Sequence, residues 1–113
     1  MHAFLELWHA KPEWLNLPRH ERESFLADVA GSMAQLDALG AESIGWGTAA
    51  PIDDKDAGYP FFAVWRVPSA AVATRFSQEL EAAGWYTYFD QVNVVGELRS
   101  PGDILKIISE LKP

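Results

Sequence analysis

Two stretches of the chain are apolar on both of their faces, and this limits the fold more than any other feature. Met1-His2-Ala3-Phe4-Leu5-Glu6-Leu7-Trp8-His9 and Tyr59-Pro60-Phe61-Phe62-Ala63-Val64-Trp65-Arg66-Val67 both read as β-strands, rich in aromatic and aliphatic residues. Side chains alternate between the two faces of a strand. In the first stretch one set is Ala3, Leu5, Leu7 and His9, and the other is Phe4, Glu6 and Trp8. In the second, one set is Phe61, Ala63, Trp65 and Val67, and the other is Phe62, Val64 and Arg66. Neither set is polar throughout, so a sheet built from these strands needs a cover on each side.

The rest of the chain supplies one such cover. Ala10–Pro18 is a loop with two prolines, and Pro18 suits the first turn of a helix. From Arg19 to Leu39, the residues Phe25, Val29, Met33 and Leu36 recur at helical spacing, and Gly40 ends the run. Gly31 lies inside this helix, either for close approach to a sheet or as slack. Glu42–Thr48 is a second strand, and Ala49–Gly58 is a loop. Ser69 caps a second helix in which Val72, Phe76 and Leu80 step by four, and Gly84 stops it. Tyr86–Leu98 reads as a fourth strand. Ser100-Pro101-Gly102-Asp103 opens a short last helix with Ile104, Ile107, Ile108 and Leu111 on one face. The order β-α-β-β-α-β is the split βαβ unit of a ferredoxin-like α+β fold, with an antiparallel sheet in the order 4-1-3-2. At 113 residues the chain is expected to be one domain, 1–113.

Both helices cover the same side of such a sheet. Leu5 and Leu7 are assigned to that side, which sends Phe4, Glu6 and Trp8 to the open side. Arg66 assigns Phe62 and Val64 to the open side as well. Val92 and Val94 go beneath the helices, leaving Phe89, Gln91, Asn93 and Val95 open. In strand 2, Ile44 and Trp46 go to the core, while Ser43, Gly45 and Gly47 face out. A slip of one residue inverts any of these sets. Of the remaining tryptophans, Trp65 goes to the core and Trp85 to the turn into strand 4. Trp14, in the proline loop, is either a lid or a plug for the first helix. The expected open face, with Phe4, Trp8, Phe62, Val64, Phe89 and Val95, is too apolar for a soluble monomer. A second copy packed sheet to sheet is its simplest cover, since homodimers are the commonest oligomers. The bare glycines of strand 2 would leave space there for a small apolar or aromatic molecule.

Polar residues on that face are candidates for chemistry. Glu6, Arg66, Gln91 and Asn93 converge there, with Glu6 as base or anchor and Arg66 holding an anionic group. The competing assignment is a structural ion pair between Glu6 and Arg66. His9 is a candidate proton carrier, oriented by Asp90 or a loop carboxylate, or simply a strand-end residue. His2 and His20 read as surface residues. The histidines lie on different elements, so no metal site is expected. Asp53, Asp54 and Asp56 lack the glycine and distal glutamate of a calcium loop and read as a solvated turn. Gly45-Trp46-Gly47 is too short for a phosphate loop. The absence of cysteine removes thiol chemistry and disulfides. A net charge of −7 argues against nucleic acid as a partner. No apolar run approaches the ~20 residues that span a bilayer, so no membrane association is expected. The first residues read as a strand rather than a targeting segment, which makes the cytoplasm the default location.

The β-α-β-β-α-β order, the length and the two-faced apolar sheet resemble the dimeric α+β barrel superfamily. Its members include antibiotic-biosynthesis monooxygenases, EthD-like proteins and YCII-like proteins. The resemblance covers most of residues 1–99. Gly84-Trp85-Tyr86-Thr87-Tyr88-Phe89-Asp90-Gln91-Val92-Asn93 is similar to an uncharacterised bacterial branch. The resemblance implies a homodimer whose sheets enclose a pocket. It also implies either cofactor-free oxygenase or isomerase chemistry or haem binding. Haem-degrading relatives carry an axial histidine on a helix beside the barrel, and neither Ser69–Ala83 nor the last helix contains one. No cofactor is therefore expected. The expected function is binding of a small apolar or aromatic molecule, extending to its cofactor-free transformation. Phe4, Trp8, Phe62 and Phe89 would form the walls, and Gln91 and Asn93 would add polar contacts. Glu6, His9 and Arg66 are the catalytic candidates. The alternatives are a non-catalytic dimeric module and a cofactor-independent monooxygenase.

Overall fold

A computed structural model describes residues 1–113. The elements run β1 (His2–Ala10), α1 (Pro12–Leu15), α2 (Arg19–Met33), a 3-10 segment (Ala34–Leu39), β2 (Glu42–Thr48), β3 (Phe61–Val67), α3 (Ala70–Ala82), α4 (Trp85–Tyr88), β4 (Phe89–Glu97) and α5 (Pro101–Ser109). The strands form one antiparallel sheet in the order β2-β3-β1-β4, with helices packed on it. This is the expected ferredoxin-like α+β fold, and the strand order agrees. No helix is long and apolar enough to cross a membrane.

Local chemistry sets the boundaries. The Ser69 hydroxyl accepts a hydrogen bond from the Val72 N–H (3.4 Å), as expected of an N-cap. Gly40 and Gly84 adopt left-handed backbone (φ 84° and 87°), which stops the helices before them. Three details differ from expectation. Pro18 precedes α2 in extended backbone (φ −61°, ψ 151°) instead of joining its first turn. Pro12 opens the short helix α1 within the proline loop. The residues after Gly84 make another helical turn, closed by the Thr87 N–H on the Gly84 carbonyl (3.1 Å), so β4 begins only at Phe89.

The principal correction concerns β1 and β4, whose faces are opposite to those expected. Phe4, Glu6 and Trp8 lie buried on the helix side, and Leu5 and Leu7 lie on the open side. The register pairs Phe4 with Trp65, Glu6 with Ala63 and Trp8 with Phe61, and cross-strand partners share a face. Burying Phe4 and Trp8 removes more apolar area than burying two leucines, and Glu6 is carried inward by the period of two. β4 inverts with β1, because Gln91 pairs with Trp8 and Asn93 with Glu6. Phe89, Gln91, Asn93 and Val95 therefore belong to the helix side, and Val92 and Val94 to the open side. The assignment of β3 agrees with the structure: Ala63, Trp65 and Val67 are buried. Trp46 also shares the helix side, opposite Ala63.

The core lies between the sheet and helices α2 and α3. Val29 of α2 and Ala73, Phe76 and Leu80 of α3 are buried there. Phe76 stands edge-on to Phe4 (5.3 Å) and to Trp65 (4.8 Å). The open face carries Leu5, Leu7, Phe62, Val64, Val92 and Val94, so it is still apolar but mostly aliphatic. Gly47 does not leave empty space there. The Phe62 ring lies over it, with Cζ 2.7 Å from where a Cβ would stand.

Gly31 is exposed on α2, and a Cβ there would meet nothing within 4 Å. The helix thus carries slack at this position rather than a close approach. Gly31→Ala is expected to raise stability by about 1 kcal/mol through helix propensity. Gly47→Ala is expected to lower it by about 1–3 kcal/mol through overpacking against Phe62. Urea midpoints should fall on opposite sides of the parent protein. Two shifts of the same sign would contradict these placements.

Candidate functional site

Glu6 occupies the middle of β1, an interior strand, and points under the helices with 3% of its surface exposed. The indole N–H of Trp65 donates to its Oε1 (2.8 Å), and the Gln91 side-chain amide donates to its Oε2 (2.7 Å). The same Gln91 Nε2 donates to Asn93 Oδ1 (2.8 Å), while the indole N–H of Trp85 donates to Gln91 Oε1 (2.9 Å). An indole nitrogen only donates, so Trp85 fixes which end of the Gln91 amide faces it. The amide nitrogen must then face Glu6, and Glu6 meets donors at both oxygens. Burial raises the carboxyl above its ordinary pKa of 4.5, against the lowering pull of the Gln91 and Trp65 hydrogen bonds. Glu6 joins none of the ion pairs of the chain.

A small cavity of about 10 Å³ touches Glu6 and is walled by Trp8, Trp46, Phe76 and Trp85 among others. It has room for about one water molecule. Trp8, Trp46 and Trp85 also line a groove of about 440 Å³ that opens between the sheet and helices α1, α2 and α4. The three indoles therefore separate Glu6 from the groove. Trp8 packs edge-on to Trp46 (5.4 Å) and Trp85 (5.8 Å), and Trp85 stacks on Phe89 (4.2 Å). Trp46 is 48% exposed, which makes it the wall best able to move. Trp14 packs against Phe25 (5.8 Å), Tyr88 (5.5 Å) and Phe89 (4.8 Å), so it plugs α2 and also lines the groove.

Arg22 is the one charged residue lining the groove. It donates to the carbonyls of Trp14 (3.1 Å) and Leu15 (2.8 Å), with its guanidinium 5.7 Å from the Trp14 ring centre. Sequence reasoning missed it, although Arg22 precedes Phe25 by three and so falls on the apolar face of α2.

The structure thus gathers Glu6, Trp8, Phe89, Gln91 and Asn93, and packs Phe4 beside them against Phe76. It does not bring Phe62, Arg66 or His9 to this site. Arg66 lies on the other face and pairs with Glu42 (3.5 Å), so the expected Glu6–Arg66 pair does not form. His9 does meet Asp90 (Nε2 to Oδ2, 3.5 Å), but also on the face away from Glu6. His2 is half-buried rather than on the surface, and its Nδ1 has no hydrogen-bond partner. No three His, Cys, Asp or Glu side chains come together in a metal-binding group. On the open face, a second hollow of about 520 Å³ lies between Leu7, Phe62 and the loop 49–60.

A ferredoxin-like sheet with a buried carboxyl behind an aromatic groove defines the class of this molecule, and solved structures share its fold. A putative chlorite dismutase superposes with a TM-score of 0.68 at 18% identity, covering 94% of this chain and 48% of its own. The present chain thus spans about half the length of that protein. At3g17210 of Arabidopsis thaliana gives 0.61 at 13% identity, covering 88% of this chain and 97% of its own. A dabb family protein with a ferredoxin-like fold from Mesorhizobium loti gives 0.54 at 15% identity, with coverages of 88% and 97%. At such identities the likeness is one of fold. By sequence, residues 1–111 match the family of unknown function DUF6616, and the chain belongs to that family. No curated protein matches it.

Proposed function

We propose that the protein binds a small, flat aromatic molecule in the groove and, with the Trp46 ring swung aside, receives a hydroxyl or N–H from it at Glu6. The observation that carries this reading is a buried carboxyl without an ion pair, held only by indole and amide donors behind a groove walled by aromatic rings. Burying a carboxylate without a cation works against stability. Such a group in a cleft is a mark of a functional site. The groove falls within the ~300–1,000 Å³ range of ligand pockets. We further infer a homodimer of the dimeric α+β barrel type, related to antibiotic-biosynthesis monooxygenases, EthD-like and YCII-like proteins. The uncovered aliphatic face of the sheet supports this.

A titration with 2-naphthol, followed by quenching of tryptophan fluorescence, tests the site. Quenching should saturate. 2-Methoxynaphthalene, which has no O–H to donate, should bind about 10-fold more weakly, the effect of one hydrogen bond to a buried carboxyl. Glu6→Leu, which leaves no acceptor, should remove that difference. Equal affinity for both compounds, or quenching by neither, would overturn the assignment. Oxygen uptake in the same mixtures should be nil for a binding protein. Uptake that disappears in Glu6→Gln would replace this reading with that of a cofactor-free monooxygenase.

A further inference from the structure

We propose that the molecule held in the groove is an aromatic acid, whose carboxylate pairs with Arg22 at one end while its hydroxyl meets Glu6 at the other. The proposal rests on the reading above and adds the chemical class of the ligand. The chain has 16 acidic residues against 9 basic ones, so a cation without a carboxylate is the exception. Arg19, Arg66, Arg75 and Arg99 each pair with an acidic side chain. Arg22 alone among the arginines does not, and it is the arginine that lines the groove. Its own helix offers no partner. The positions a turn away are Pro18, Arg19, Phe25 and Leu26. Glu21 and Glu23 are its second neighbour's distance or less in sequence and so point elsewhere, and Glu23 is held by Arg19 (2.8 Å). No acidic side chain lines the groove. A half-buried cation beside aromatic walls is therefore left without a counter-charge.

The guanidinium is already fixed in place. Its Nε donates to the Trp14 carbonyl and one Nη2 N–H to the Leu15 carbonyl, which ties the end of α1 to α2. These bonds use two of the five N–H groups of an arginine. Both N–H groups of Nη1 and the second of Nη2 make no hydrogen bond within the chain. N–H groups on two neighbouring nitrogens match the two oxygens of a planar carboxylate. A side chain held by two carbonyls and a ring face loses little further freedom on binding. The sheet register sets the spacing. Trp14, beside Arg22, packs on Phe89 (4.8 Å), and Phe89 pairs with Ala10. Arg22 thus stands toward the Ala10 end of the groove. Glu6 lies four residues before Ala10 on β1, about 13 Å along the strand. The stacked rings of Phe89 and Trp85 lie between the two ends. A fused two-ring molecule with its carboxylate and hydroxyl at opposite ends suits this spacing. One with both groups on adjacent carbons does not.

Calorimetric titration of the full chain at neutral pH tests the proposal with four probes: 2-naphthol, 2-naphthoate, 6-hydroxy-2-naphthoate and 3-hydroxy-2-naphthoate. The 6-hydroxy acid should bind about 10-fold more tightly than 2-naphthol, the effect of a charge-assisted pair. The 3-hydroxy acid, with its groups side by side, should lack that advantage. Arg22→Gln should bring the affinity ratio of 6-hydroxy-2-naphthoate to 2-naphthol close to one. Leu26→Glu tests the same point with Arg22 retained, because it sets a carboxylate one turn from the guanidinium and should also collapse the ratio. An advantage that survives both substitutions would overturn the role of Arg22. If 2-naphthol binds and the 6-hydroxy acid binds no more tightly, the acid class is wrong and the reading at Glu6 stands. If 6-hydroxy-2-naphthoate binds no more tightly than 2-naphthoate, the contact at Glu6 fails and the proposal built on it is overturned as well. Binding of none of the four would overturn both.

Discussion

Phe76→Ala is expected to lower the unfolding free energy by about 3–5 kcal/mol, the largest effect of any single substitution considered. Phe76 is 1% exposed and stands on the face of α3 that covers the sheet. It loses edge contacts with both Phe4 and Trp65, and such aromatic pairs contribute about 0.5–1.5 kcal/mol beyond area burial. The void would have a second consequence, because Phe76 also walls the small cavity at Glu6. A larger space beside a carboxyl can hold water, which eases the burial that raises the Glu6 pKa. The variant should therefore be less stable and have a Glu6 pKa closer to the ordinary value. Urea unfolding measures the first effect, and NMR titration of the Glu6 carboxyl measures the second. A loss below about 1 kcal/mol would mean that α3 does not cover the sheet as described.

Glu6→Gln should lower stability in a way that depends on pH. Both donors facing Glu6 need acceptors, and a glutamine offers one acceptor and one donor group. Whichever way it turns, an N–H meets the Trp65 indole or the Gln91 amide. If Gln91 turns instead, it faces the Trp85 indole with the wrong end. One buried donor left unpaired costs about 1–3 kcal/mol. The pH dependence follows from the raised pKa in the folded state. Between the ordinary value of 4.5 and the folded-state value, the folded protein binds more protons than the unfolded chain. The contribution of Glu6 is therefore fully present below pH 4.5 and is lost as pH rises through the folded-state pKa. The glutamine of the variant does not titrate, so its deficit should be largest below pH 4.5 and should narrow as pH rises through the folded-state pKa. Urea midpoints at several pH values check this, and a constant gap would show that Glu6 titrates alike in both states.

Much of the site was legible only as a list of residues. Glu6, Gln91 and Asn93 stand out as polar positions inside apolar strands, and the structure does link them. Trp8 and Phe89 also belong together, but on the other face from the one expected. Phe62 and Arg66 were grouped with them through a parity assignment that holds for β3 and fails for β1 and β4. Trp85 and Arg22 were missed as site residues. The first is expected in the turn into strand 4, where nothing local shows that its indole reaches Gln91, and the second is a charged residue on an apolar helix face.

The order of elements, the ferredoxin-like topology and the helix ends at Gly40, Ser69 and Gly84 follow from the residues alone. Their causes are local: periodicity, capping hydroxyls and glycine's access to left-handed backbone. Which face of β1 turns inward is not local. Leu5 with Leu7 and Phe4 with Trp8 are both apolar pairs, and a period of two offers each equally. The choice falls to packing against Phe76, Trp65 and Trp85, residues distant in sequence, and β4 follows β1 through its register. That choice places Glu6 in the core and moves the aromatic wall from a sheet-to-sheet interface to a groove beneath the helices.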